Sequence, residues 1–360
     1  MKKLKFVPFL FVVIFTICGC IVSELETSED SRYITIMTWN VHNLFDGKDD
    51  GYEYNEFLQS SGWSVEKYMG RINSISAAID RIDVYPDILI LQEIESLQVL
   101  EDLEFALTRG FAWSHFANNP ESAIGVGILS RFPITEAMAH SITVNKDSTP
   151  RPVLEARIQT EGGDIIIFAC HWKSKIGGDD ATESVRKASV RAILRRIREL
   201  QKDEPRTGII VAGDLNENFD EFYRRGSNIV CAIIPDDPHC VKLTNVDKAA
   251  QKDYIVINGS KPPAPEHFPQ ETIVLFSPWV NELVNGSYLF KNNWETIDHF
   301  LVSGQFFDDS GLLYESTVIV DIEPFANFEG IPVSYNPRTG NGLSDHLPLL
   351  LTLRIKDVDQ

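Results

Sequence analysis

Ile209-Ile210-Val211-Ala212-Gly213-Asp214-Leu215-Asn216 is the stretch that decides the fold. Four apolar residues run without interruption into a glycine, a carboxylate and an amide. A short, continuous apolar run predicts a strand buried on both faces. Two other segments share this form. Asp87-Ile88-Leu89-Ile90-Leu91 runs into Gln92-Glu93, and Ile165 to Cys170 runs into His171-Trp172-Lys173. Buried strands that deliver carboxylates and a histidine at one end predict a sheet with a site along its rim. Tyr254–Ile257, Phe300–Val302 and Leu347–Ile355 read as further strands. Helices are predicted between them. Tyr68, Ile72, Ile75, Ile79 and Ile82 recur at spacings of three and four, an amphipathic pattern. Thr182 to Lys202 shows a second stripe and carries seven cations, Arg186, Lys187, Arg191, Arg195, Arg196, Arg198 and Lys202. These read as a solvated face or as a patch that attracts a polyanion.

The 360 residues are 43% apolar and 24% charged, a globular composition. Five cysteines argue against a disulfide-dense scaffold. Beyond the first 25 residues no apolar run approaches the roughly 20 needed to cross a bilayer, which excludes a polytopic membrane protein. No repeat or linker divides residues 33–357, so one domain is expected there.

Residues 1–20 read as a lipoprotein-type signal peptide. Lys2, Lys3 and Lys5 precede an apolar run from Phe6 to Ile17, too short to span. Ile17-Cys18-Gly19-Cys20 resembles a bacterial lipoprotein box with Cys20 as the lipidated residue, although Cys18 departs from the usual small residue. An ordinary cleaved signal and an uncleaved anchor are the alternatives. Loss of residues 1–19 takes away three lysines and no acid, moving the formal charge from −19 to −22. Residues 21–32 read as a flexible, acidic tether. The expectation is an exported cell-envelope lipoprotein, periplasmic or on the surface, attached to the membrane through Cys20. In an oxidising compartment Cys231 and Cys240, nine apart, are either bridged or free; a bridge would be worth roughly 2.5–3 kcal/mol. Cys170 reads as a core residue.

Asn40, Glu93, His171, Asp214, Asn216, Asp298, Asp345 and His346 are the residues with chemistry to offer. Each alone has an ordinary explanation, as a cap, a surface acid or a core histidine. Together they are oxygen-rich donors without paired thiols, which suit a hard cation such as Mg²⁺, Mn²⁺ or Ca²⁺. Two histidines beside carboxylates add acid–base chemistry near neutral pH. No Walker loop, GxGxxG or nucleophile elbow is present. The set points to metal-assisted hydrolysis of a phosphoester by water.

Seven motifs occur in order: Thr38-Trp39-Asn40-Val41-His42-Asn43-Leu44-Phe45-Asp46, Leu91-Gln92-Glu93-Ile94-Glu95, Gly125-Val126-Gly127-Ile128-Leu129-Ser130-Arg131, His171-Trp172-Lys173-Ser174-Lys175, Gly213-Asp214-Leu215-Asn216, Ile297-Asp298-His299-Phe300-Leu301-Val302-Ser303 and Ser344-Asp345-His346-Leu347-Pro348. The sequence resembles the endonuclease/exonuclease/phosphatase superfamily from about Ile34 to Leu353. The resemblance implies a four-layer α/β sandwich, two mixed β-sheets face to face with helices outside. It also implies roles. Glu93, with Asn40 and Asp345, would hold the metal. Asp214 and Asn216 would orient the attacking water and the phosphate. His346, oriented by Asp298, would be the base or a phosphate contact, and His171 would contact the scissile phosphate. Asn40, Arg151 and Lys173 would help bind the substrate phosphate.

The Trp-Asn-x-x-Asn-Leu-Phe-Asp start and the His-Trp-Lys-Ser-Lys motif look most like exported bacterial nucleases. A metal-dependent phosphodiesterase acting on nucleic acid, as a monomer, is therefore expected. The alternatives are a sphingomyelinase-like phospholipid phosphodiesterase and a non-catalytic surface-binding lipoprotein. The phospholipid reading calls for an exposed aromatic-rich hairpin, for which Phe276, Pro278 and Trp279 are the weak candidates.

Overall fold

The computed structural model describes residues 32–144, 147–148, 151–244 and 253–356. The signal segment, Cys20 and all of the tether but Arg32 lie outside the described residues.

Six strands carry the site, β1 (Tyr33–Leu44), β2 (Ile88–Ile94), β3 (Gly163–His171), β4 (Gly208–Asp214), β5 (Asp298–Val302) and β6 (Leu349–Ile355). One sheet of six strands is ordered Leu312–Ile319, β6, β1, β2, Gly125–Ser130, Trp113–Ala117. A second sheet of eight is ordered Ile233–Pro235, Ile255–Asn258, Val274–Phe276, β5, β4, β3, Val153–Thr160, Ile134–His140. Both are mixed. β1 runs parallel to β2 and antiparallel to β6; β4 runs parallel to β3 and antiparallel to β5.

Alternation along each strand builds the layers. Ile34, Ile36, Ile88 and Ile90 from the first sheet pack against Ile165, Ile167, Ile210 and Phe300 from the second. The intervening residues point outward. Met37, Trp39, Leu89 and Leu91 meet the helices α1 (Val65–Ile79) and α2 (Leu97–Ala106). Ile166, Phe168, Ile209 and Val211 meet α3 (Asp179–Asp203). The result is a four-layer α/β sandwich, and it explains why Ile88 to Leu91 are apolar at every position: both faces are covered. The stripe on α1 is buried as its spacing predicts, each isoleucine contributing about 1.5–3 kcal/mol. Ser64 caps that helix by accepting the Lys67 amide, and the helix ends at Ile79, so Ile82 packs from the turn beyond it.

Among the described residues, three of the seven cations of α3 are held in ion pairs. Arg186 is fully buried between Glu217 (2.7 Å) and Glu183 (2.8 Å), Arg196 binds Glu155 and Glu199, and Arg191 meets Asp253. Cys170, Cys231 and Cys240 are buried free thiols; the last two pack in a small cluster with Phe222, Tyr254 and Phe268. Phe276, Pro278 and Trp279 are buried too, so they form no docking element.

Candidate active site

The rim of both sheets is shaped by broken register. β1 pairs with β2 as far as Asn40 opposite Gln92, and pairing resumes only at Leu44 opposite Ile94. Pairing of β2 with Gly125–Ser130 skips Glu93. Glu93 therefore sits in a bulge with φ 65°, and His42 and Asn43 share φ 59°. Bulges re-aim a side chain, and non-glycine residues at positive φ concentrate at functional sites. On the second sheet Gly213 has φ 128°, and a Cβ there would lie 2.0 Å from the Cys170 carbonyl oxygen. Only glycine lets β4 approach β3 this closely just before Asp214.

These turns bring the acids together. Asn40 Nδ2 donates to Glu93 Oε1 and to Asp214 Oδ2, at 3.1 Å each, joining the two sheets. Asn40 Oδ1 accepts the His42 amide at 2.9 Å, and Glu93 Oε2 accepts the Asn43 amide at 2.8 Å. His171 Nε2 lies 3.7 Å from Glu93 Oε1 and 3.6 Å from Asp214 Oδ2. The Asn216 amide donates to Asp214 Oδ1 at 2.9 Å, and its side chain donates to the Trp172 carbonyl at 3.2 Å. Arg151 donates to that same carbonyl.

The second histidine closes the group. His346 Nδ1 is 2.8 Å from Asp298 Oδ2. Ligand atoms of Asp214, Asp298 and His346 all lie within 4.8 Å of one another. Ser344 ties this loop to β1, donating to the Asn40 carbonyl at 2.6 Å and accepting the His346 amide at 3.0 Å. Asp345 stands at the edge, its Oδ1 3.6 Å from His42 Nδ1.

Residues 35–355 match the Endonuclease/Exonuclease/phosphatase family. The chain belongs to that family. It is a phosphoester hydrolase of the divalent-metal-dependent kind typical of it. Among solved structures, an endonuclease/exonuclease/phosphatase family protein from Bacteroides thetaiotaomicron is 14% identical; the match covers 91% of this chain and 97% of that chain, with a TM-score of 0.51. One from Leptotrichia buccalis C-1013-b is 15% identical, covering 90% of this chain and 100% of that chain, with a TM-score of 0.50. At these identities the likeness speaks for the fold. No curated protein matches the sequence.

The donor set fits the metal that the endonuclease/exonuclease/phosphatase family uses. Glu93, Asp214 and Asp345 are close to one another's neighbours, yet among the described residues no lysine or arginine forms an ion pair with any of them. Their partners are amides and imidazoles. Buried and partly buried carboxylates held mainly by amides and imidazoles present oxygen lone pairs that a hard cation would take up. Asp298 Oδ1 and His171 Nδ1 are buried without a hydrogen-bond partner among the described residues.

Electrostatics separate the two histidines. Burial lowers the His171 pKa well below the ordinary value, helped by Arg151, His346 and Lys173, so its imidazole stays neutral. Burial also opposes charge on His346, but Asp298, Asp214 and Asp345 outweigh it and raise the group to about 10. Burial raises Asp214 to about 7 against the pull of His346. Lys173 is lowered by burial and then by Arg151 and Arg186, the sign of a cationic corner beside His171.

Four supporting residues escape a reading of the sequence. Ser287 and Tyr288 come from a polar loop with no periodicity and sit against Asp298 and His346. Ser344 directly precedes Asp345-His346, and that adjacency was the available signal. Arg71 is a charge on the buried face of α1. Its Nη2 donates to the Val41, His42 and Leu343 carbonyls, and its guanidinium lies 3.6 Å over the Tyr335 ring. It pins the two loops that carry Asn43 and Asp345.

Proposed function

We propose that the chain is an exported, metal-dependent nuclease that hydrolyses phosphodiester bonds of nucleic acid. The observation that carries this reading is the cationic corner: Arg151 and Lys173 both act on His171, where a polyanion's neighbouring phosphate needs neutralising. The burial of Phe276, Pro278 and Trp279 removes the candidate lipid-docking element. The lysines and apolar run of residues 2–17 support export, and Cys20 supports anchoring at the cell envelope.

Glu93 and Asp345 would hold the ion, with Asn40 bracing Glu93; bound there, Mg²⁺ (or Mn²⁺ or Ca²⁺) supplies charge stabilisation at the scissile phosphate and the leaving oxygen. Asp214, steadied by the amides of Asn40 and Asn216, takes a proton from the attacking water as its oxygen bonds to phosphorus. The bond from phosphorus to the leaving oxygen breaks. His346, held by Asp298 as an imidazolium, contacts the phosphate and returns a proton to that oxygen. His171 stays neutral and orients a phosphate oxygen.

Supercoiled plasmid incubated with the protein and Mg²⁺ tests the reading. Nicking by the wild type, absent with chelator and absent from the Asp214→Ala/His346→Ala double variant, is the expected result. Intact plasmid with Mg²⁺, Mn²⁺ and Ca²⁺ at low salt, alongside turnover of sphingomyelin, would sink it.

A further inference from the structure

The hairpin of Tyr288–Phe290 and Asn293–Glu295 holds an arrangement that the hydrolytic roles leave unused. Its backbone is fastened to the catalytic loop. Tyr288 bridges His346 as an antiparallel pair, and the Leu347 amide donates to the Ser287 carbonyl at 2.7 Å. The Tyr288 ring stacks on the His346 imidazole, with centroids 4.6 Å apart and planes at 30°. Phe290, two residues on and so on the same face of the strand, lies parallel to Tyr288 within 13° at 6.3 Å. Phe290 is 49% exposed, and the Lys291 ammonium lies 5.0 Å over its ring. Ring planes thus step outward from the imidazole to solvent and end in a cation.

We infer that Tyr288 and Phe290 form a stacking platform for a nucleobase beside the scissile phosphodiester, with Lys291 placed for the next phosphate. The inference rests on the nuclease reading and says which part of the substrate lies on which wall. Every base has a π-face, and a base on an aromatic ring is worth about 1–3 kcal/mol without regard to sequence. Tyr288 already uses a face on His346, so Phe290 offers the exposed ring, and the Lys291 side chain that lies over it would swing aside to meet a phosphate. The Tyr288 phenol has no hydrogen-bond partner among the described residues. Burial, then the Asp345, Asp214 and Glu93 carboxylates, raise its titration to about 12, so it remains an O–H donor toward a substrate oxygen. The hairpin tip opposes a bilayer as the occupant. It is Lys291-Asn292, both at positive φ (49° and 65°), and Phe290 is its one exposed large apolar side chain. A membrane-inserting element presents a broader apolar face.

The test is cleavage of an end-labelled single-stranded oligonucleotide by the full chain. A companion set of strands carries one abasic residue at each position around the cut. Phe290→Ala should lower kcat/KM by about 5- to 150-fold, mostly through KM, the fold-change that one stacked base is worth. Phe290→Trp should restore it to within about threefold, and unchanged thermal unfolding of both variants shows that the fold is intact. One abasic position should reproduce the deficit in the wild type and add nothing further in Phe290→Ala. Equal cleavage by wild type and Phe290→Ala, or two deficits that multiply, overturns the platform. So does a Phe290→Ala defect confined to binding of sphingomyelin–phosphatidylcholine vesicles. A wild type that hydrolyses bis(p-nitrophenyl) phosphate but no oligonucleotide overturns the nuclease reading and the platform with it.

Discussion

Asp298 Oδ2 accepts two hydrogen bonds at once, from His346 Nδ1 at 2.8 Å and from the Ser287 hydroxyl at 2.6 Å. The hydroxyl fixes the carboxylate, the carboxylate fixes the ring, and Tyr288 covers the ring face. Removing the charge should therefore act on the chemistry more than on the fold. Asp298→Asn, His346→Ala and His171→Ala should each slow hydrolysis of bis(p-nitrophenyl) phosphate by about 10²–10⁴-fold, the worth of one positioned acid–base group. Ser287→Ala, one bond further out, should cost about 10–100-fold. Steady-state rates with circular dichroism as a folding check decide this. Wild-type turnover by His346→Ala would remove the histidine from the mechanism.

Asn40 hydrogen-bonds Glu93 and Asp214 together, one amide nitrogen serving both, while His171 Nε2 stands farther off at 3.7 and 3.6 Å from the same two oxygens. Without it, two carboxylates from different sheets lose their one hydrogen-bonded link and keep only the longer approach of His171. Asn40→Ala should lower apparent Mg²⁺ affinity by about 10–100-fold, read as the Mg²⁺ concentration giving half-maximal activity. Mg²⁺ at about 100 times its Kd should stabilise the wild type by about 2.7 kcal/mol and leave Glu93→Gln unmoved. An unchanged Mg²⁺ dependence in Asn40→Ala would refute the bridging role.

Arg186 does for the neighbouring loop what Asn40 does for the site. Fully buried, it pairs Glu217 and Glu183 and donates to the Lys173 carbonyl at 3.1 Å, so α3, the loop after Asp214 and the loop after His171 meet at one guanidinium. Truncation leaves Glu217, fully buried, without a counter-ion among the described residues, while Glu183 keeps Arg225 at 2.7 Å. Arg186→Ala should lose about 3–5 kcal/mol of stability, the usual cost of breaking a buried pair from one side. A urea midpoint within experimental error of wild type would contradict that. Arg195→Ala, an exposed residue with no ion pair among the described residues, should stay within about 0.5 kcal/mol.

The parts that the sequence made legible are those governed by continuous burial. Ile88–Leu91, Ile165–Cys170 and Ile209–Ala212 are apolar at every step because each strand is covered on both faces, and each ends in a site residue because the rim is where a covered strand first meets solvent. The stripe of α1 was readable for the same reason. What escaped depends on contacts between distant segments. Nothing in the order of residues pairs Ser287 with Asp298 or stacks Tyr288 on His346; both follow from a hairpin docking on the last catalytic loop. The bulge at Glu93 is a register feature, invisible to a pattern that counts only apolar positions. Cys231 and Cys240 have a spacing that permits a ring, yet each is buried as a thiol in an apolar cluster.

His299 gives the fold a pH dependence of known sign. It is fully buried, its Nε2 donates to the Glu217 carbonyl at 2.8 Å, and burial lowers its pKa to about 4. The unfolded chain titrates this group near 6.5. Between those values the unfolded state binds a proton that the folded state refuses, so stability is fully present above about 6.5 and is lost as pH falls toward 4. The loss is about 2 kcal/mol by pH 5 and about 3 kcal/mol by pH 4. His171, also lowered, pulls in the same direction. His346, raised to about 10, pulls the other way: its contribution is present below about 6.5 and fades as pH rises. The wild-type curve sums these opposing slopes, so the curve alone does not report His299. The difference between wild type and His299→Gln does. Gln keeps an N–H for the Glu217 carbonyl and cannot titrate. Urea unfolding at pH 7.5 and pH 5 should show the wild type losing about 2 kcal/mol more than the variant. Parallel losses in the two proteins would mean that His299 accepts a proton in the folded state, and that its burial is less complete than its surroundings require.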